Sequence, residues 1–107
     1  MPDYTIQPFS SAPRVPFKLD GRILFSSTRY ELVHLTLRPG EAMEQHTQPI
    51  PIVFFVAGGR GTLAVGEEVI EINEHMTIHV NAGVARAWTN TGDQPLVILV
   101  NKLIAGQ

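Results

Sequence analysis

The side chains with the most chemistry to offer are four histidines, His34, His46, His75 and His79, and one arginine, Arg86. An imidazole titrates near pH 6.5, so each histidine is a candidate base, acid or metal ligand. In the segment EAMEQHTQ, Glu44, His46 and Gln48 alternate, and an extended backbone turns all three to one face. Arg86, Trp88 and Asn90 share a face in RAWTN in the same way. A guanidinium has no lone pair for a metal, but its planar fork matches a carboxylate or phosphate. An indole supplies a wall for stacking. His34 keeps company with Leu32 and Thr36, His79 with Thr77 and Asn81, and His75 falls in a turn. Nothing in the spacing brings these three to His46, and four histidines are not by themselves a metal signature.

The composition removes several functions. Eight Lys and Arg against ten Asp and Glu give a formal charge of −2, without the basic footprint of a nucleic-acid binder. Cysteine is absent, so there is no disulfide framework, thiolate metal site or thiol nucleophile, and a reducing cytoplasm suits the chain. The opening MPDYTIQPFS has an early Asp and no apolar run, and reads as no signal peptide. No apolar stretch approaches the roughly 18 residues of a membrane span. With 107 residues and 44% hydrophobic content, the expectation is one domain with a real core.

The elements that position these residues read as short strands. Residues 1–20 contain Pro2, Pro8, Pro13 and Pro16 and read as an irregular arm that wraps the domain or a partner, anchored by Phe9 and Phe17. Residues 21–107 read as one barrel domain. In YELVHLTLR, Val33, Leu35 and Leu37 fall on one face, with period two. RILFSS, IVFFV, TLAV, VIEI, MTIHV, RAWTN and LVILV are further strands, separated by turn signals such as Pro39-Gly40 and TGDQP. LVILV is apolar at every position, which suits a strand covered on both faces. No window shows helical periodicity, so the class is all-β, a sandwich or barrel. The glycine-rich turn at Gly58, Gly59 and Gly61 precedes a strand rather than the helix a phosphate loop requires. Glu67, Glu68, Glu71 and Glu74 read as a solvated strand face.

Two segments resemble the motifs of the cupins, a family of small double-stranded β-helix or jelly-roll barrels. The first family motif, G-x5-H-x-H-x3/4-E-x6-G, is met at its intervals by Gly40, His46, Gln48, Ile52 and Gly59. The second, G-x5-P-x-G-x2-H-x3-N, is met by His75, Asn81, Gly83, Arg86 and Asn90. Fifteen residues, 60–74, separate them, as in compact single-domain members. The resemblance covers about residues 30–103 and implies a cupin-like barrel. It also implies a homodimer, the usual state of small members.

Metal-binding cupins use two His and one Glu from the first motif and one His from the second. The corresponding residues are His46, Gln48, Ile52 and Arg86. At ~4 Å and an effective dielectric of ~20, Arg86 would repel a divalent cation by about 8 kcal/mol. No metal or other cofactor is therefore expected at the usual place. If the alignment holds, His46, Gln48 and Arg86 converge in the barrel mouth over Ile52 and Phe54, with Trp88 as a wall. The expectation is a metal-independent pocket for a small, anionic ligand. Glu44 offers a competing role for Arg86, as partner in an internal ion pair. The rival functions are an enzyme and a structural or regulatory domain with a filled barrel. The enzyme is either a metal-dependent dioxygenase or isomerase, with a site of His46 and His34 or His79, or a metal-free isomerase or epimerase with His46 as base.

Overall fold

The structure, a computed structural model, describes residues 3–104. After a single 3-10 turn (Phe9–Ser11), eight strands follow: β1 (Asp20–Ser26), β2 (Tyr30–Leu37), β3 (Ile52–Gly58), β4 (Arg60–Val65), β5 (Glu68–Asn73), β6 (Thr77–Val80), β7 (Arg86–Thr89) and β8 (Leu96–Leu103). They form a five-stranded sheet in the order β1-β2-β8-β3-β6 and a three-stranded sheet in the order β5-β4-β7, with every neighbouring pair antiparallel. The protein is an all-β double-stranded β-helix, and each strand lies where the alternating pattern placed one. A ninth extended segment runs along the free edge of β7, through the isolated pairs Ala42↔Thr89 and His46↔Arg86.

Period-two burial builds the core between the sheets. Val33, Leu35 and Leu37 of β2, Ile52, Phe54 and Val56 of β3, and Leu96, Ile98 and Val100 of β8 are buried, and Leu63, Ile72 and Trp88 face them from the smaller sheet. LVILV differs from the expectation of two fully covered faces. Its outward residues Val97 and Leu99 are only half-buried, as are Val53 and Phe55 on β3. The larger sheet thus carries an apolar outer face that the chain itself leaves partly open.

The arm is tied to β1 rather than hung from its aromatics. Val15 N–H donates to Gly21 O (3.0 Å) and Ile23 N–H to Pro13 O (2.7 Å), so residues 13–15 extend the sheet edge. Ala12 and Val15 are the buried anchors, whereas Phe9 and Phe17 are 49% and 53% exposed. The prolines explain this: an edge segment needs only some of its N–H groups for pairing. Arg22 clamps the arm by donating to the carbonyls of Phe9, Ser10 and Ala12 while its guanidinium sits over the Phe9 ring.

The chain passes from one sheet to the other at Gly59, between β3 and β4. Its φ is +81°, and a Cβ there would collide with the Pro95 carbonyl oxygen. Both the left-handed backbone and the close approach require glycine. Gly59→Ala is expected to destabilise the fold by at least about 2 kcal/mol, measured by urea unfolding; a change under half of that would show that the corner relaxes freely.

Candidate functional site

Arg86 opens β7 and is paired across the backbone with His46: His46 N–H donates to Arg86 O and Arg86 N–H to His46 O, both at 2.9 Å. Such a pair turns its two side chains to the same face. The alternation of β7 sends Arg86 and Trp88 inward, where Arg86 is 5% exposed and Trp88 1%. The Arg86 guanidinium lies over the Phe54 ring, 5.6 Å from its centroid. Phe54 in turn packs against the Trp88 indole in a T-shaped pair, with ring centroids 5.2 Å apart. Stacking on an aromatic face is a favourable way to hold a guanidinium in an apolar interior. Among the described residues no carboxylate pairs with Arg86, and the exposed Glu44 does not supply the internal ion pair considered above.

His46 is exposed at the mouth, and its Nε2 lies 2.9 Å from Gln48 Nε2. With the amide in that orientation Gln48 donates and the imidazole accepts, which leaves the ring proton on Nδ1. Burial pushes the His46 pKa below the ordinary 6.5, and the positive charges of Arg86 and Lys102 add to the shift. Burial likewise lowers the Arg86 pKa from its usual value. A cleft of about 620 Å³ runs along the seam between the arm and residues 41–46. Its wall includes Phe17, Lys18, Met43, Glu44 and His46, but not Arg86.

The site thus brings His46, Gln48 and Arg86 together. Trp88 stands beneath them as support for Phe54 rather than as an open stacking surface. Its indole Nε1 is buried with no hydrogen-bond partner among the described residues. The other histidines lie elsewhere. His34 pairs across β8 with Leu99, and His79 across β3 with Val53, on the outer face of the larger sheet. His34 meets the Phe9 ring edge-on at 4.8 Å, and His75 stacks on Phe55. A rearranged metal site joining His46 to His34 or His79 is therefore corrected by strand alternation, which puts them on the opposite side of the sheet from the barrel interior.

A scan of known families matches the Cupin domain over residues 33–101. The chain belongs to the cupin family. No functionally curated protein matches its sequence. Among solved structures, the TT1209 protein of Thermus thermophilus is 25% identical with a TM-score of 0.77, covering 92% of this chain and 95% of that one. A Thermotoga maritima protein described as a predicted oxalate decarboxylase is 15% identical with a TM-score of 0.82, covering 94% and 100%. The polyketide cyclase RemF from Streptomyces resistomycificus is 13% identical with a TM-score of 0.82, covering 95% and 80%. The last two show the shared fold alone.

In this cupin the residues at the four usual ligand positions do not fit a divalent metal. Only His46 is a good donor; Gln48 offers one weak amide oxygen, Ile52 is fully buried hydrocarbon, and Arg86 brings a positive charge. Among the described residues, no three His, Asp or Glu side chains come together elsewhere. Asn90, which matches the family motif, does structural work. Its amide donates to Leu37 O (2.9 Å) and Gln94 O (2.8 Å) and its Oδ1 accepts from Gly92 N–H, fixing the turn before β8.

The sequence reading missed Lys102 and Glu31. They are cross-strand partners with Nζ and Oε1 3.3 Å apart. Both continue the inward parity, Glu31 that of Val33 and Lys102 that of Val100, which is the signal that finds them. Because desolvation, and then the charges of Arg86 and Lys102, depress the His46 pKa, its NMR titration should report a value below 6.5, and Arg86→Gln should raise it. The folded His46 resists protonation, so its contribution to stability is lost as pH falls through 6.5 toward the depressed folded value. A wild-type titration at or above 6.5 would contradict the geometry.

Proposed function

We propose that this cupin is a metal-independent binding module for a small anionic ligand held by Arg86, with His46 and Gln48 as polar contacts and Trp88 as support beneath. The observation that carries the reading is Arg86 itself, a residue 5% exposed whose guanidinium has no carboxylate partner among the described residues. A buried, unpaired charge costs stability. Retaining one at the mouth of a barrel makes sense when an anion supplies the missing partner. Replacing Arg86 by Gln should weaken carboxylate or phosphate binding by at least about tenfold in calorimetry, the loss of one charge-assisted hydrogen bond. Arg86→Met should raise the melting temperature of the free protein while abolishing its stabilisation by anions. Unchanged affinity in Arg86→Gln would remove the assignment.

A second reading rests on the neutral state favoured at His46. An unprotonated imidazole beside an anion anchor suits proton abstraction in a metal-free isomerase or epimerase. Solvent deuterium incorporated into a bound carboxylic acid, and lost in His46→Gln, would establish it; binding without exchange leaves the binding module.

We also propose that two copies pair through the outer face of the larger sheet. Val53, Phe55, Val97 and Leu99 form its apolar centre. Five strands at ~4.8 Å spacing and about 25 Å length present roughly 600 Å², close to the ~800 Å² per partner of a standard interface. Sedimentation should show a dimer at micromolar concentration and a monomer for Leu99→Asp; a wild-type monomer would end the idea. The cysteine-free composition fits a reducing compartment, and we place the protein in the cytoplasm.

A further inference from the structure

The outer face of the larger sheet carries almost no fixed charge. On β2, β8, β3 and β6 the outward positions hold no Asp, Glu, Lys or Arg, because Glu31 and Lys102 take the inward parity. The titratable side chains at those outward positions are His34, His79 and Tyr30, and Tyr30 donates its hydroxyl to Asn101 Oδ1 (2.6 Å). His34 stands between Arg22 and Leu99 in one cross-strand row. His79 ends the neighbouring row, beside Val53. The order β2-β8-β3-β6 puts three strand steps between the two histidines, a lateral distance of about 14 Å. They therefore bracket the apolar centre of the face.

The fixed charges lie at its border. Arg22 and Asp20 belong to β1, and Asp20 is held by Arg14 at 3.4 Å. The arm meets His34 through the uncharged ring of Phe9. The strand that pairs with His79, β3, contains no charged residue. At the β5–β6 turn Glu74 adjoins His75, whose ring stacks on Phe55.

We propose that His34 and His79 make the pairing of two copies through this face pH-dependent: the dimer holds while both imidazoles are neutral and separates when they are protonated, below about pH 6. The proposal rests on the pairing reading above and adds what controls it.

A two-fold pair presents the same patch from both copies, so each histidine enters the interface twice. A footprint that spans the five strands covers β2 and β6 together. Protonation then places positive charge at each of these positions, in an interface whose central strands offer no outward carboxylate. Charge without a partner in a desolvated patch is costly. His34 has little room to adapt. Its Nδ1 is buried without a hydrogen-bond partner among the described residues, and Arg22 across the strand brings a like charge. An imidazolium donates from both ring nitrogens, so a proton on His34 needs an acceptor there that the described residues do not supply. His79 is exposed in the single chain and loses its water only when a second copy covers it.

The test is sedimentation equilibrium of the full chain at a series of pH values and fixed ionic strength, with circular dichroism following the fold at each. An imidazole of ordinary pKa that must stay neutral in a complex weakens it about tenfold between pH 7.5 and pH 5.5. With His34 from both copies the dimer Kd should rise by at least about a hundredfold over that range, and by more with His79. The double variant His34→Asn, His79→Asn should dimerise at the upper pH and keep its Kd at the lower one. Equal wild-type Kd at the two values would overturn the proposal while leaving the dimer. So would a loss of association that begins only in the carboxylate range, below about pH 5. A double variant with the wild-type pH dependence would overturn it as well. Where the double variant fails to fold, His79→Asn alone decides: at this exposed position it should flatten the profile, and an unchanged profile overturns the proposal. A wild-type monomer at the upper pH would remove the pairing reading and this inference with it.

Discussion

The arrangement at the barrel mouth depends on one unpaired charge. Arg86 is a buried residue that holds its guanidinium over Phe54, without a carboxylate partner among the described residues. Desolvation penalises it, and an aromatic face recovers only part of that penalty. The surrounding structure is organised to keep it there. The backbone pair with His46 fixes the start of β7, Trp88 braces Phe54 from below, and the β4–β7 pairing Val65↔Arg86 closes the other side. On the proposed reading, the charge that opposes a divalent cation is also the one that attracts an anion.

The barrel supplies the address, not the chemistry. Strand alternation distributes polar groups to three places: the mouth, the outer face and the turns. His46, Gln48 and Arg86 meet at the mouth; His34 and His79 go to the outer face; Asn90 goes to a turn, where its three hydrogen bonds serve the fold. A cupin can therefore keep its glycines and Asn90 while its ligand positions change, because the two sets answer to different physics. Gly59 is fixed by a left-handed backbone and a neighbouring carbonyl.

Much of this was legible in the sequence, for identifiable reasons. The eight strands follow from period-two burial, and the shared face of Arg86 and Trp88 follows from parity alone. Depth along a strand does not: parity places Trp88 inward without saying that Phe54 stands between it and the mouth. The arm was harder, because its prolines suppress regular pairing and its anchors are the small Ala12 and Val15 rather than the aromatic Phe9 and Phe17. Lys102 and Glu31 escaped notice because each lies where a strand's apolar run stops. Extending the parity of β2 and β8 by one step would have put both on the inner face. Their pairing required knowing that β2 and β8 are adjacent.

The central claim is that Arg86 has turned a metal position into an anion position, and metal content tests it most directly. Elemental analysis of tag-free protein, purified without chelator, should find iron, zinc, manganese and nickel each well below one mole per mole of chain. About one mole of any of them per chain would contradict the account, since it would require a cation bound in spite of Arg86 or at donors the described residues do not bring together.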